Sequence, residues 1–207
     1  MNTERRNDTL TLEILQAIEE RSDVTQRRIA SRCGVALGLA NAYLKRCVRK
    51  GLVKMRTAPA NRYLYYLTPK GLREKSRLTA EYLSYSFSFY RQAGQSLETL
   101  FAELASARSG RGPLKVGLYG ASDLAEIAAI RALAAGISVV AVCDPQRAGE
   151  WFLHFGVLER PRRAGSVRAW VLTALDDPQT AYAELIEAVG PERAYAPSIL
   201  GVRAPGR

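Results

Sequence analysis

The chain has 207 residues, 47% of them hydrophobic, and 30 Lys and Arg stand against 20 Asp and Glu for a formal net charge of +10. That is enough length for one or two domains and enough apolar content for folded cores, yet no run reaches the ~18 apolar residues of a membrane-spanning helix. The stretch MNTERRNDTL has charge but no apolar h-region, so no secretory signal is expected.

Asp8 is read as the cap of a first helix in which Leu12, Leu15 and Ile18 keep near-helical spacing to about Arg21. Residues 23–67 then follow the order helix, tight turn, helix, strand, strand. The short helix covers 25–32 and is opened by Asp23 or Thr25, with Gln26 three residues after Asp23. Cys33-Gly34-Val35 is the turn, where Gly34 supplies the backbone freedom of a sharp corner. The next helix covers about 36–50 and stops at Gly51. Residues 52–57 and 62–67 are rich in β-branched and aromatic side chains and are joined by Ala58-Pro59-Ala60-Asn61. This order is that of a winged helix-turn-helix.

Charge follows the same division. From Arg27 to Arg77 there are 14 Lys or Arg and one acid, Glu74; residues 1–91 carry net +10 and residues 92–207 net zero. A surface that neutralises phosphates, releasing their counterions, concentrates charge in this way. Inward positions are Ile29, Val35, Ala40, Leu44 and Cys47 or Val48. Outward on the second helix stand Leu37, Gly38, Asn41, Ala42 and Lys45. Asn pairs with an adenine edge and Lys reaches guanine or phosphate, so Asn41 and Lys45 are the expected base readers. Arg46, Arg49 and Lys50 are expected on phosphates, joined by Arg27 and Arg28 of the short helix. Arg56 and Arg62 flank the wing loop and are expected in a minor groove.

Thr68 caps and Pro69 opens a further helix that carries Leu72, Leu78, Tyr82, Leu83, Tyr85, Phe87, Phe89 and Tyr90. After Gly94 a second helical stripe holds Leu97, Leu100, Phe101 and Leu104. Such stripes cover the chain's own core or pair two copies, and residues 69–105 are read as a two-helix dimerisation segment. The domains expected are a winged helix-turn-helix over 1–68, this segment, a polar linker over 106–113 and a Rossmann-like domain over 114–207. Three cysteines (Cys33, Cys47, Cys143) without C-x-x-C spacing argue against a disulfide framework and a zinc site, and for a reduced cytoplasm.

Beyond the linker the pattern alternates between strand and helix. Residues 114–119 form a strand, Gly120 a turn, 123–135 a helix, and 137–143 an apolar strand expected to be buried on both faces. Residues 168–175 read as another strand, Asp177 caps a helix with Tyr182, Leu185, Ile186 and Val189 on one face, and 193–196 is a last strand. The fold class is α/β overall: an α+β winged helix, a helical segment and a doubly wound parallel sheet. A dinucleotide fingerprint laid from Gly120 runs Gly120, Ala121, Ser122, Asp123, with Asp144 at the place of a ribose-binding acid. These five are the expected ligand residues. Ser122 replaces the middle glycine, and Asp123 with Glu126 has the spacing of a helix that caps itself and repels phosphate. A nucleotide-type ligand, such as a sugar nucleotide or NAD(H), and a fold kept only for assembly both stay open.

His154 is the only histidine, in WFLHF, and no nucleophile elbow, metal cluster or carboxylate pair stands out, so the chain is expected not to be an enzyme.

Residues 10–90 resemble the MarR-type winged-helix regulators of exopolysaccharide gene clusters. The stretches TQRRIASRCGVALGLANAYLKRCVRKGLVKMR and YLYYLTPKGLREKSRLT carry the likeness, with Ala36 where a Ser cap is usual and Leu39 where a polar residue is usual. The resemblance implies DNA-binding transcriptional control of surface-polysaccharide genes. The partners expected are double-stranded DNA, a second copy of the chain and a small-molecule effector, with no membrane. Residues 114–160 look like Rossmann modules of sugar-modifying enzymes through VGLYGASDLAEIA, VVAVCDP and AGEWFLHFGVL. The order winged helix then Rossmann domain is similar to that of the redox-sensing Rex repressors.

Overall fold

Leu10, Ile14, Leu15, Ala17 and Ile18 bury one stripe of α1 (Asn2–Glu20) in the computed structural model, which describes residues 2–59, 62–107, 112–161 and 167–203. Asp8 therefore lies inside α1 and does not cap it. The added turns are tied down where the Tyr43 hydroxyl donates to Asn7. In α2 (Gln26–Arg32) the cap is Thr25, whose hydroxyl accepts from the Arg28 N–H at 3.2 Å, while Asp23 pairs with Arg21 at 3.0 Å. Gly34 takes φ +59, and the Val35 N–H returns to the Ala30 carbonyl to close the corner.

α3 (Leu37–Arg49) buries Ala40, Leu44 and Cys47 against Ile29 and α1. β1 (Val53–Ala58) and β2 (Arg62–Leu67) pair antiparallel with Met55 opposite Tyr65 and Thr57 opposite Tyr63, so these four share a hairpin face. Tyr65 is buried there, and its hydroxyl accepts from Gln26. Ala60, Asn61 and the Arg62 side chain lie outside the described residues, as do 108–111 of the expected linker.

α4 (Pro69–Ser106) is one helix of 38 residues, not two broken at Gly94. The glycine serves packing: a Cβ there would lie 2.8 Å from the Arg131 guanidinium, which reaches Glu98 at 2.7 Å and stands over the Tyr90 ring. The helix gives Leu78 to the core of one compact unit, Met1–Phe87, and Ala93, Leu97, Phe101 and Leu104 to that of another, Ser88–Arg207.

In the second unit β3 (Lys115–Tyr119), β4 (Ser138–Cys143), β7 (Ala169–Leu172) and β8 (Ala194–Tyr195) form a parallel sheet in the order β4-β3-β7-β8. α5 (Asp123–Ala134) and the end of α4 cover Val116, Leu118 and Val171. α6 (Pro178–Val189) covers Trp170 and Leu172 on the opposite face. Alternate residues of one strand thus face opposite layers, and the sheet is doubly wound. β4 is an outer strand whose first four residues stay half-buried, which corrects the expectation of burial on both faces. A small hairpin, β5 (Trp151–Phe152) and β6 (Phe155–Gly156), interrupts the β4–β7 connection. Among the described residues no helix is long and apolar enough to cross a membrane.

Candidate nucleic-acid interface

α3 begins without a side-chain cap. Ala36 sits at the N-cap with an extended backbone and no side-chain hydrogen bond, leaving first-turn N–H groups open beside exposed Leu37 and Gly38. Such a helix start attracts phosphate. Burying Ala40, Leu44 and Cys47 turns the other side of α3 outward, where Ala42, Lys45, Arg46 and Arg49 are exposed and Asn41 is half-buried. Arg27 and Arg28 are exposed on α2, and Arg56 is exposed on β1.

The cations fall into two groups. Arg21, Arg32, Lys75 and Arg77 are each held by an acid. Among the described residues no ion pair engages Arg27, Arg28, Lys45, Arg46, Arg49 or Arg56. Glu74, the one acid of the basic stretch, is hydrogen-bonded by Arg77, which holds its carboxyl below the ordinary value. An unpaired basic surface on a helix-turn-helix is free to replace counterions along a nucleic-acid backbone.

Alternation on the hairpin places Lys54, Arg56, Leu64 and Tyr66 on the face opposite Met55 and Tyr63. Met55 and Tyr63, 48% and 46% exposed, line a cavity together with Asn41, Lys45 and Arg49 of α3, and sequence reasoning missed them. The signal was present: they continue the face of buried Val53 and Tyr65 beyond the reach of the core. Leu39, 42% exposed, adds a further apolar residue to the first turn of α3.

The expected ligand turn is arranged otherwise. Gly120 adopts φ +110, and a Cβ there would lie 2.3 Å from the Ala174 nitrogen, so only glycine fits. Its carbonyl accepts from buried Thr173 at 2.6 Å. The Ala121 N–H donates to Asp144 at 2.9 Å, and the Ala121 carbonyl accepts from Arg147 at 2.6 Å. Ser122 caps α5, accepting from the Leu124 N–H at 3.2 Å. Asp123 is the exposed first helical residue and not the cap, which corrects the self-capping expectation. Asp144 stands in the predicted place, but its carboxylate is occupied by the Ala121 and Gln146 N–H groups.

Burial pushes the Cys33 thiol up to about 12, aided by a hydrogen bond with Glu13, so the turn before α3 holds no thiolate at neutral pH.

Residues 7–54 match the family described as winged helix-turn-helix DNA-binding. No curated protein sequence matches the chain. Among solved structures it is similar to the PcaV transcriptional regulator from Streptomyces coelicolor in complex with its natural ligand, at 23% identity over 47% of this chain and 73% of that one, TM-score 0.37. It is also similar to MepR, a transcription regulator of the Staphylococcus aureus multidrug efflux pump MepA, at 17% identity over 50% and 78%, TM-score 0.36. A third likeness is to an O-methyltransferase (NcsB1) from neocarzinostatin biosynthesis in complex with S-adenosyl-L-homocysteine, at 16% identity over 93% and 80%, TM-score 0.34. At these TM-scores none of the likenesses assigns a function. The expectation that the chain is not an enzyme is withdrawn: 93% of the chain aligns with a protein described as an O-methyltransferase, a likeness that itself assigns no activity. That no nucleophile elbow, metal cluster or carboxylate pair stands out was no ground for excluding catalysis.

Proposed function

We propose that this chain is a cytoplasmic transcriptional regulator that binds double-stranded DNA as a homodimer, with α3 in the major groove and the wing in a minor groove. The supporting observation is the set of unpaired cations, Lys45, Arg46 and Arg49 with Arg27 and Arg28, around an α3 that begins uncapped. Asn41 and Lys45 read base edges, while Arg27, Arg28, Arg46 and Arg49 hold phosphates. The MarR resemblance supports control of polysaccharide genes. Titrating upstream fragments across salt concentrations tests the reading: log affinity is expected to fall linearly with log salt and to exceed that for random DNA. A salt-insensitive affinity, or equal affinity for random DNA, sinks it.

Dimerisation is assigned to α4, where Tyr82, Leu83 and Phe87 are 53%, 46% and 58% exposed. The double variant Leu83→Glu and Phe87→Glu is expected to halve the mass measured by light scattering; an unchanged mass refutes this interface. The second unit senses a nucleotide-type metabolite or supports assembly. The Ala121 N–H already donating to Asp144 favours assembly, and NADH is then expected to leave DNA affinity unchanged.

A further inference from the structure

The first turn of α3 carries no side chain that donates or accepts a hydrogen bond. Leu37 and Leu39 are 43% and 42% exposed there, and exposed Gly38 and Ala42 stand on the outward side between them. Ala40, Leu44 and Cys47 close the core of this unit without either leucine. Gly38 is not required by the fold: a Cβ there would meet nothing within 4 Å, and glycine inside a helix weakens it. Its missing side chain does allow the α3 backbone a close approach to whatever lies in front of it. The same helix continues into exposed Lys45, Arg46 and Arg49, so the apolar patch is contiguous with the cationic surface.

Base pairs show the major groove a pattern of donors and acceptors, which leucine and alanine cannot read. The apolar feature they can meet there is the C5 methyl of thymine. Charge complementarity brings the patch to it. The cations and the open first-turn N–H groups fix α3 on phosphates, and the first residues of a recognition helix are those that reach base edges.

We propose that the first turn of α3 selects its duplex by thymine methyl groups. Leu37, Leu39 and Ala42 pack on these methyls, and Gly38 lets the backbone come close enough for that contact. Leu37 lies one helical turn before Asn41, so methyl and adenine readout fall within one half-site. This rests on the DNA-binding reading and adds to it the bases that are selected.

The test uses the full chain and the upstream fragment bound most tightly in the salt titration, made once with thymine and once with deoxyuridine at every thymine. Uracil keeps each hydrogen-bonding group and loses only the methyl. One buried methyl is worth about fourfold in affinity, so two recognition helices give a loss of about tenfold or more by fluorescence anisotropy. The salt slope is expected to stay the same, because the phosphate contacts are untouched. The double variant Leu37→Ala and Leu39→Ala is expected to bind the two fragments within about twofold of each other, with an unchanged Tm since both leucines lie outside the core. Gly38→Ala is expected to raise Tm and weaken binding to the thymine fragment; unchanged or tighter binding overturns the close approach. Equal affinity of the natural chain for both fragments, or a thymine preference that survives loss of both leucines, overturns methyl readout and leaves the DNA-binding reading standing. Failure to bind the thymine fragment better than random DNA sinks both.

Discussion

Two tight corners in this chain lead into helices, and they end differently. The corner at Gly34 opens into α3 with no side-chain cap, exposed first-turn residues and cations outside any ion pair among the described residues. The corner at Gly120 opens into α5 with Ser122 capping, Asp123 and Glu126 in the first turn, and the Ala121 N–H bonded to Asp144. In the sequence each reads as a glycine turn that leads into a helix. Only the first keeps its donors and positive charge unspent, and a binding surface is marked by what its own fold leaves unpaired.

The sharpest way to break this contrast is to remove charge from the first corner. Replacing Lys45, Arg46 and Arg49 together by Gln is expected to lower DNA affinity by about 100-fold or more and to flatten the slope of log affinity against log salt by about 1.8, the share of the two phosphate contacts of Arg46 and Arg49. An unchanged slope in a fluorescence-anisotropy titration would remove α3 from the interface. At the second corner, Gly120→Val is expected to cost at least about 3 kcal/mol, since it forces a side chain into the Ala174 backbone at φ +110. Urea unfolding followed through buried Trp170 reads this, and a cost below about 1 kcal/mol would mean that the turn gives way.

Smaller changes sharpen the contrast. Ala36→Ser gives α3 the cap that α5 already has; it is expected to raise stability by about 0.5–1 kcal/mol while weakening DNA binding a fewfold, because it occupies an N–H offered to phosphate. Tighter DNA binding by that variant would contradict the open-start argument. A last effect concerns chemistry rather than binding. Burial pushes Cys33 and Cys143 up to about 12 and Cys47 to about 11, against about 8.5 for a free thiol. The thiolate is the reactive form, so at pH 8 native labelling by a disulfide reagent is expected to be at least about 100-fold slower than after unfolding, accelerating as pH rises. Fast native labelling of Cys33 would contradict the effect of its burial.

Most elements were legible because local patterns dictate them. The spacing of Ile29, Ala40, Leu44 and Cys47 marks the buried side of α2 and α3, and Asp177 before Pro178 marks the start of α6. Where the reading failed, the deciding atoms were distant in sequence. Gly94 looks like a helix break until Arg131 is seen to fill its space, and residues 138–141 look like an interior strand until the sheet order puts β4 outermost. Of the interface, the α3 cations were visible as a charge run. Met55 and Tyr63 were not, since their exposure depends on how far the hairpin extends past its core.

Periodicity, turn residues and charge distribution, all properties of neighbours along the chain, sufficed to establish a basic winged helix followed by a parallel α/β unit. Whether a given N–H, carboxylate or guanidinium remains available is a matter of what folds against it from elsewhere. Asp144 illustrates this: its position suggests a ribose partner, and its hydrogen bond to the Ala121 N–H, 23 residues earlier, commits it instead to the chain's own backbone.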